Sequence, residues 1–224
     1  MNYIGVSRPI LSWLGQSEYL EALMPGPGQA QRNGSQVASA IDEVRASVPW
    51  SFLLGSMSLL GSHDTARWHS IAGSTERARI GAGLMMTLPG APCFFYGDEI
   101  ALTGPNNELA RRPMPWGLES EWDREQLEHY RMLTRLRSSS RALAFGGLRW
   151  VEREKDSLTF LRESTDERLL IRATRAKCPP VRIPARWLGA SSLEPLYGNP
   201  SVTVGDDEVV IACDGASFSV LALT

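Results

Sequence analysis

Cysteine, histidine and any excess of one charge are scarce in this chain of 224 residues, and each scarcity removes a class of function. The three cysteines, Cys93, Cys178 and Cys213, stand far apart without Cys-x-x-Cys spacing, which argues against a zinc site and against a disulfide framework. All three are expected to be reduced and structural. Basic and acidic side chains nearly cancel, 23 against 25, and the arginines are scattered rather than gathered on one helix face, so no nucleic-acid partner is expected. No run approaches the roughly 18 apolar residues of a membrane span, and Met1 to Val6 lacks the basic and apolar regions of a signal peptide. The expected location is cytoplasmic, except that a signal preceding Met1 would lie outside this chain. No cofactor and no metal is expected.

What remains is a chain that is 43% hydrophobic, enough to bury one core or two small ones. Met1 to Val6 reads as the end of a strand, and Arg8-Pro9-Ile10 starts a short helix with proline in its first turn. Met24-Pro25-Gly26-Pro27-Gly28 reads as a loop. Helix resumes after Asn33: Val37, Ile41, Val44 and Val48 recur at helical spacing, with Asp42, Glu43 and Arg45 turned outward. Trp50 to Leu60 reads as a short helix running into a buried strand. Thr75 is the expected cap of a helix from Glu76 to Leu88, whose Gly81 and Gly83 are costly unless another backbone packs closely there. Pro92 to Tyr96 reads as a strand. This strand and helix alternation predicts an α/β parallel sheet or barrel, in which functional loops follow strand C-termini.

Ala101 to Glu121 is a long loop rich in proline and glycine, and Trp122 to Ser138 is an amphipathic helix burying Leu127, Tyr130, Met132, Leu133 and Leu136, with His129 on its exposed side. Beyond Gly146 the character changes. Eight short β runs, from Leu148–Val151 to Phe218–Leu223, predict an antiparallel sandwich. The expected domains are therefore 1–146, α/β, and 147–224, all-β.

Three constellations can carry chemistry. His63-Asp64, delivered by an apolar strand, can bind metal, act as an acid/base pair, hold a polar ligand, or simply cap its own loop; Trp68 and His69 follow with aromatic and hydrogen-bonding surface suited to a sugar. Asp98-Glu99 can supply a general acid, but nothing nearby raises a carboxyl pKa in the required way, so a structural Glu99 binding backbone amides is the favoured reading. Arg111-Arg112, stiffened by Pro113-Met114-Pro115-Trp116, can clamp a carboxylate or sugar hydroxyls, or remain solvated.

Taken in order, Ser62-His63-Asp64-Thr65, Gly90-x-Pro92-x-x-x-x-Gly97-x-Glu99 and Arg111-Arg112-Pro113-Met114-Pro115-Trp116 resemble successive motifs of the α-amylase family of glycoside hydrolases, family 13. Met1-Asn2-Tyr3, with Val44-Arg45-Ala46-x-x-Pro49-Trp50, resembles its neopullulanase, cyclomaltodextrinase and maltogenic amylase branch. The resemblance covers about residues 1–146. It implies the C-terminal part of a (β/α)8 TIM barrel, starting near the sixth strand and followed by a β-sandwich domain, and a retaining mechanism whose two working carboxylates lie about 5–5.5 Å apart.

By that resemblance Asp64 is neither of those two but a third carboxylate, the transition-state stabiliser. His63 hydrogen-bonds the same sugar, and Arg112 lies near the non-reducing-end subsites; Trp68 is expected to bind the sugar from its place in the loop, not from the resemblance. An Asp-Pro usual in the long loop is replaced by Asn107-Glu108. The nucleophile and general acid belong to a missing N-terminal barrel portion, so the isolated chain is expected to be inactive; the partner is an α-glucan or maltooligosaccharide, and the whole protein is a candidate homo-oligomer. The rival readings are a non-catalytic carbohydrate-binding module or degenerate homologue, and a His-Asp metal phosphohydrolase, which the low histidine count disfavours.

Overall fold

The N-terminal segment coils where an extended strand was expected. In the computed structural model, which describes residues 1–22 and 30–224, Tyr3–Ser7 forms a π-helical turn leading directly into α1 (Arg8–Leu14). The turn forms because Asn2 Oδ1 accepts the Gly5 N–H at 2.8 Å and because Gly5, lacking a Cβ, lets the backbone settle beside Val44. The expected strand survives as one hydrogen bond, from Asn2 N–H to the Met57 carbonyl at 2.7 Å. The loop read at Met24 to Gly28 lies outside the described residues.

After α2 (Ser17–Ala22), α3 (Gly34–Ser47) begins at a reciprocal cap: Asn33 accepts from the Gln36 N–H while the Gln36 side chain accepts from the Asn33 N–H. Val37 and Ile41 are buried as the helical spacing predicts. Asp42 and Arg45 do not simply face water; Asp42 accepts the Trp150 indole N–H at 3.0 Å and Arg45 donates to the Leu148 carbonyl at 2.8 Å. The helix thereby binds the β-rich half.

The short helix α4 (Trp50–Gly55) runs into β1 (Met57–Ser58), as the sequence implies. Next come α5 (Trp68–Ala72), α6 (Thr75–Thr87) and β2 (Ala91–Pro92). Strands β1 and β2 pair in parallel, Met57 opposite Ala91 and Ser58 opposite Pro92, with α6 between them in sequence. Ser74 rather than Thr75 caps α6, accepting from the Arg77 N–H. The close approach expected at Gly81 and Gly83 exists, but aromatic rings make it: a methyl group at Gly81 would strike the Trp68 indole, and one at Gly83 the Phe218 ring. Strand β2 is shorter than expected because the chain turns at Phe95–Asp98, where Gly97 takes φ +88°.

Three helices follow: the short α7 (Asn107–Ala110) within the long loop, the longer α8 (Arg124–Ser139) and the short α9 (Arg141–Phe145). The buried stripe of α8 is Gln126, His129, Tyr130 and Leu133, an i, i+3, i+4, i+7 set, whereas Met132 is exposed. His129 is therefore not a surface residue; it is 4% exposed.

All eight β runs form strands: β3 (Gly147–Arg153), β4 (Ser157–Glu163), β5 (Arg168–Thr174), β6 (Val181–Pro184), then α10 (Ala185–Leu188), β7 (Leu193–Tyr197), β8 (Val202–Val204), β9 (Glu208–Ile211) and β10 (Ser217–Leu223). They make a five-stranded antiparallel sheet in the order β3-β4-β5-β10-β7 and a three-stranded one in the order β6-β9-β8. Alternation along the larger sheet divides its side chains between two cores. Phe160, Ile171 and Val220 join Trp13, Ile80 and Leu84 under the helices, while Leu161, Leu170 and Leu221 meet Ile183, Val209 and Ile211 of the smaller sheet. Burial on both faces explains why these strands read as continuous apolar runs.

Arg162 of β4, fully buried, joins the helical part to this sheet. Its guanidinium donates to the carbonyls of Thr87, Leu143, Gly146 and Gly147. Burial and the nearby Arg137 and Arg45 lower its pKa to about 9, so it stays charged at neutral pH. Among the described residues no helix is long and apolar enough to cross a membrane.

Candidate functional site

The loop that leaves β1 is held by its own side chains. Thr65 Oγ1 accepts the Ser62 N–H at 2.9 Å, Ser62 Oγ accepts the Asp64 N–H at 3.1 Å, and Ser62 Oγ and the Tyr3 hydroxyl are hydrogen-bonded at 3.0 Å. This local bonding throws residues 63 and 64 outward as the tip of the turn. His63 and Asp64 are each 61% exposed, with Nε2 to Oδ1 at 3.2 Å.

A third group closes on them. Arg111 Nε donates to the His63 carbonyl at 2.8 Å, and its NH2 lies 3.7 Å from Asp64 Oδ1. Oδ1 of the carboxylate thus has both an imidazole and a guanidinium beside it, and the side chain's remaining surface is open to a ligand. Such a cluster can accept hydrogen bonds from hydroxyls and stabilise developing positive charge, with His63 as donor or acceptor.

Two expected site residues do not touch the His63-Asp64 pair. Arg112 is exposed but donates to the Thr103 carbonyl at 2.5 Å, while its own carbonyl accepts from the Tyr96 hydroxyl; of the adjacent pair it is Arg111 that reaches His63-Asp64. The sequence treats the two arginines alike. The end of α7, with Arg111 as its C-cap, decides between them. Trp68 does not offer a face to a sugar: it is 1% exposed, its indole N–H donates to the Ala78 carbonyl at 2.8 Å, and its ring covers Gly81. The first position of α5 points inward between that helix and α6, and the glycine makes room for the ring. Trp116 of the long loop is exposed instead, edge-on to Trp122. His69 turns into α5, half-buried, and burial lowers its pKa below the usual histidine value.

Asp98-Glu99 lies at the tight turn after β2, and the expectation that nothing there raises a carboxyl pKa does not hold for Asp98. Glu99 Oε2 accepts the Gly97 N–H at 2.7 Å, the backbone-amide role expected for it. Asp98 is buried 3.7 Å from Arg67, and burial, opposed by that arginine, pushes its pKa up to about 7. Arg67 lies over the Phe95 and Tyr96 rings, 4.3 and 4.6 Å from their centroids, and donates to the Tyr96 carbonyl. It therefore pins the His63-Asp64 loop to the β2 turn. Sequence reasoning missed Arg67; its place in the same short loop, just after Thr65, was the only signal. Among the described residues no group of three His, Cys, Asp or Glu side chains is arranged to hold a metal.

The sequence pattern of the α-amylase catalytic domain matches residues 29–144, just over half of the chain. The chain belongs to the α-amylase family. This α-amylase-family chain is 32% identical over 164 residues to a cyclomaltodextrinase of Geobacillus thermopakistaniensis, covering 70% of this chain and 28% of that protein. It is 38% identical over 117 residues to a maltogenic α-amylase of Bacillus acidopullulyticus, covering 50% of this chain and 20% of that protein. The structure superposes on the debranching enzyme of Nostoc punctiforme with TM-score 0.82 and 25% identity, over 99% of this chain and 47% of that one. The amylase-family chain thus spans less than a third of those two curated relatives and under half of the solved enzyme. The structural likeness extends beyond the matched catalytic domain into strands β3–β10.

Proposed function

We propose that the chain is the C-terminal part of a retaining α-glucan hydrolase, with residues 1–146 contributing the last elements of a (β/α)8 barrel and residues 147–224 forming a β-sandwich domain. Asp64 is its transition-state stabiliser, His63 hydrogen-bonds the same sugar, and Arg111 is a positioning residue for both. The observation that carries this reading is the exposed Asp64 carboxylate, beside His63 and Arg111, in the loop that follows the C-terminal end of a strand in a parallel pair. The relatives' names, cyclomaltodextrinase and maltogenic α-amylase, support starch-type oligosaccharides as the substrate class.

In the retaining mechanism a nucleophile and a general acid flank the bond being cleaved, and both come from outside this chain. The surroundings of the strand pair support a missing portion: β2 has no strand on its far side among the described residues, and Ile4, Phe52, Met57, Phe94 and Tyr96 leave apolar surface exposed. The test compares residues 1–224 with the same chain joined to the protein sequence read in frame upstream. Release of reducing ends from maltooligosaccharides only by the joined form supports the proposal. Enzyme-like turnover by residues 1–224 alone rejects it.

A second reading, glucan binding without cleavage, draws on Trp116, 72% exposed beside the arginine pair. Saturable calorimetric binding of maltoheptaose by a joined form that cleaves nothing favours it.

A further inference from the structure

Cys178 and Cys213, 35 positions apart in sequence, meet in the β-rich half. Cys178 lies in the connection from β5 to β6 and Cys213 in that from β9 to β10. Their sulfurs are 2.6 Å apart, closer than two thiols rest in ordinary van der Waals contact, and the Cys178 N–H also points at Cys213 Sγ, 3.2 Å away. A covalent bond needs a further approach of only about 0.5 Å. Both connections are short, and the strands that bound them are anchored: β5 pairs with β4 and β10, and β9 with β6 and β8. The meeting is thus set by the fold rather than by two mobile tails.

We propose that these two cysteines are a modification site at which a small disulfide reagent of the glutathione class installs an intrachain Cys178–Cys213 crosslink.

Access and reactivity divide between the two thiols. Cys178 is half-exposed and borders an open cleft of about 350 Å³, lined also by Lys155, Lys177 and Pro179, so the reagent arrives there. Cys213 is buried. Burial works to raise the Cys213 pKa, but hydrogen bonds from the Cys178 side chain and N–H outweigh it and leave that thiol below its usual value, whereas burial and the shared hydrogen bond push Cys178 up to about 12. Capture is therefore slow, and closure is fast because Cys213 Sγ already lies against Cys178 Sγ.

Exchange proceeds in two balanced steps. The Cys178 thiolate attacks one sulfur of oxidised glutathione; a protein–glutathione disulfide forms, and the departing glutathione thiolate takes the proton that Cys178 lost. Cys213 then attacks Cys178 Sγ, the bond to glutathione breaks, and the second glutathione takes the Cys213 proton. Two protein thiols are oxidised to one disulfide while one glutathione disulfide is reduced to two thiols.

The test treats the folded chain with oxidised glutathione, blocks the remaining thiols, and maps non-reduced peptides by mass spectrometry, with the urea-unfolded chain as reference. The expected result is one dominant Cys178–Cys213 linked peptide from the folded chain, Cys93 outside any crosslink, and a statistical mixture of pairs from the unfolded one. Closing this loop raises Tm by several degrees, and dithiothreitol, Cys178→Ser or Cys213→Ser each abolish the rise. Separate glutathione adducts on Cys178 and Cys213, two unreacted thiols, or the same mixture of pairs from folded and unfolded chain would overturn the proposal.

Discussion

Gly83 of α6 faces the ring of Phe218 on β10 so closely that a methyl group on the glycine would lie 2.5 Å from Cδ1. Alanine in a helix interior normally gains about 1 kcal/mol over glycine. Here the ring belongs to a strand paired on both sides and has little room to retreat, and overpacking of that kind costs about 1–3 kcal/mol. Gly83→Ala is expected to lower the unfolding free energy in urea. Adding Phe218→Leu is expected to recover part of the loss, so that the double mutant departs from additivity.

Arg162 gives a second stability prediction. Its planar guanidinium serves carbonyls from α6, from α9 and from the start of β3 at once, and lysine, a single ammonium, cannot reach all of them. Arg162→Lys leaves buried acceptors unpaired and is expected to cost about 2–3 kcal/mol. Urea titration reads this as a lower midpoint with an unchanged slope.

For the proposed active site, Asp64→Asn in the joined enzyme is expected to reduce kcat by about 10²- to 10³-fold. The melting temperature should hardly move, because the side chain is exposed. Arg111→Ala is expected to impair turnover more than Arg112→Ala, since Arg111 alone of the pair contacts His63 and Asp64. Equal effects from the two arginines would remove the positioning role.

His129 predicts a pH dependence. Its Nε2 lies 3.1 Å from the Arg79 carbonyl, which can only accept, so that nitrogen carries the proton and Nδ1 accepts from the Tyr197 hydroxyl. Burial, with Arg79 nearby, pushes its pKa down to about 4 from an ordinary 6.5. A histidine depressed on folding contributes stability that is fully present above pH 6.5 and is lost as pH falls towards 4. The loss is up to about 3 kcal/mol. His129→Gln, which does not titrate, is expected to flatten the fall in stability between pH 6.5 and 4.

Some residues announced their places and others did not. The start of α3 after Asn33 with Val37 and Ile41 behind it, and each of the eight β runs, follow local rules of period that act over a few residues, so they could be read from the chain alone. The stripe of α8 was misread because Leu127 and Met132 are apolar without being inward, while His129 and Gln126 occupy the true helical spacing. Trp68 was misread for a related reason: loop position suggested display, and a glycine thirteen residues later took its ring into the core.

What the sequence determined by itself is the family motifs, the His63-Asp64 pair beyond a strand end, and the run of short β segments after Gly146, though not the helix α10 among them. The tertiary structure alone decided that Arg111 rather than Arg112 meets Asp64, that Arg67 ties the site loop to the turn after β2, and that Cys178 lies against Cys213. The physical reason is range. Propensity and periodicity act between neighbours in the chain, whereas these contacts join segments tens of residues apart, and only the folded arrangement of those segments brings them together.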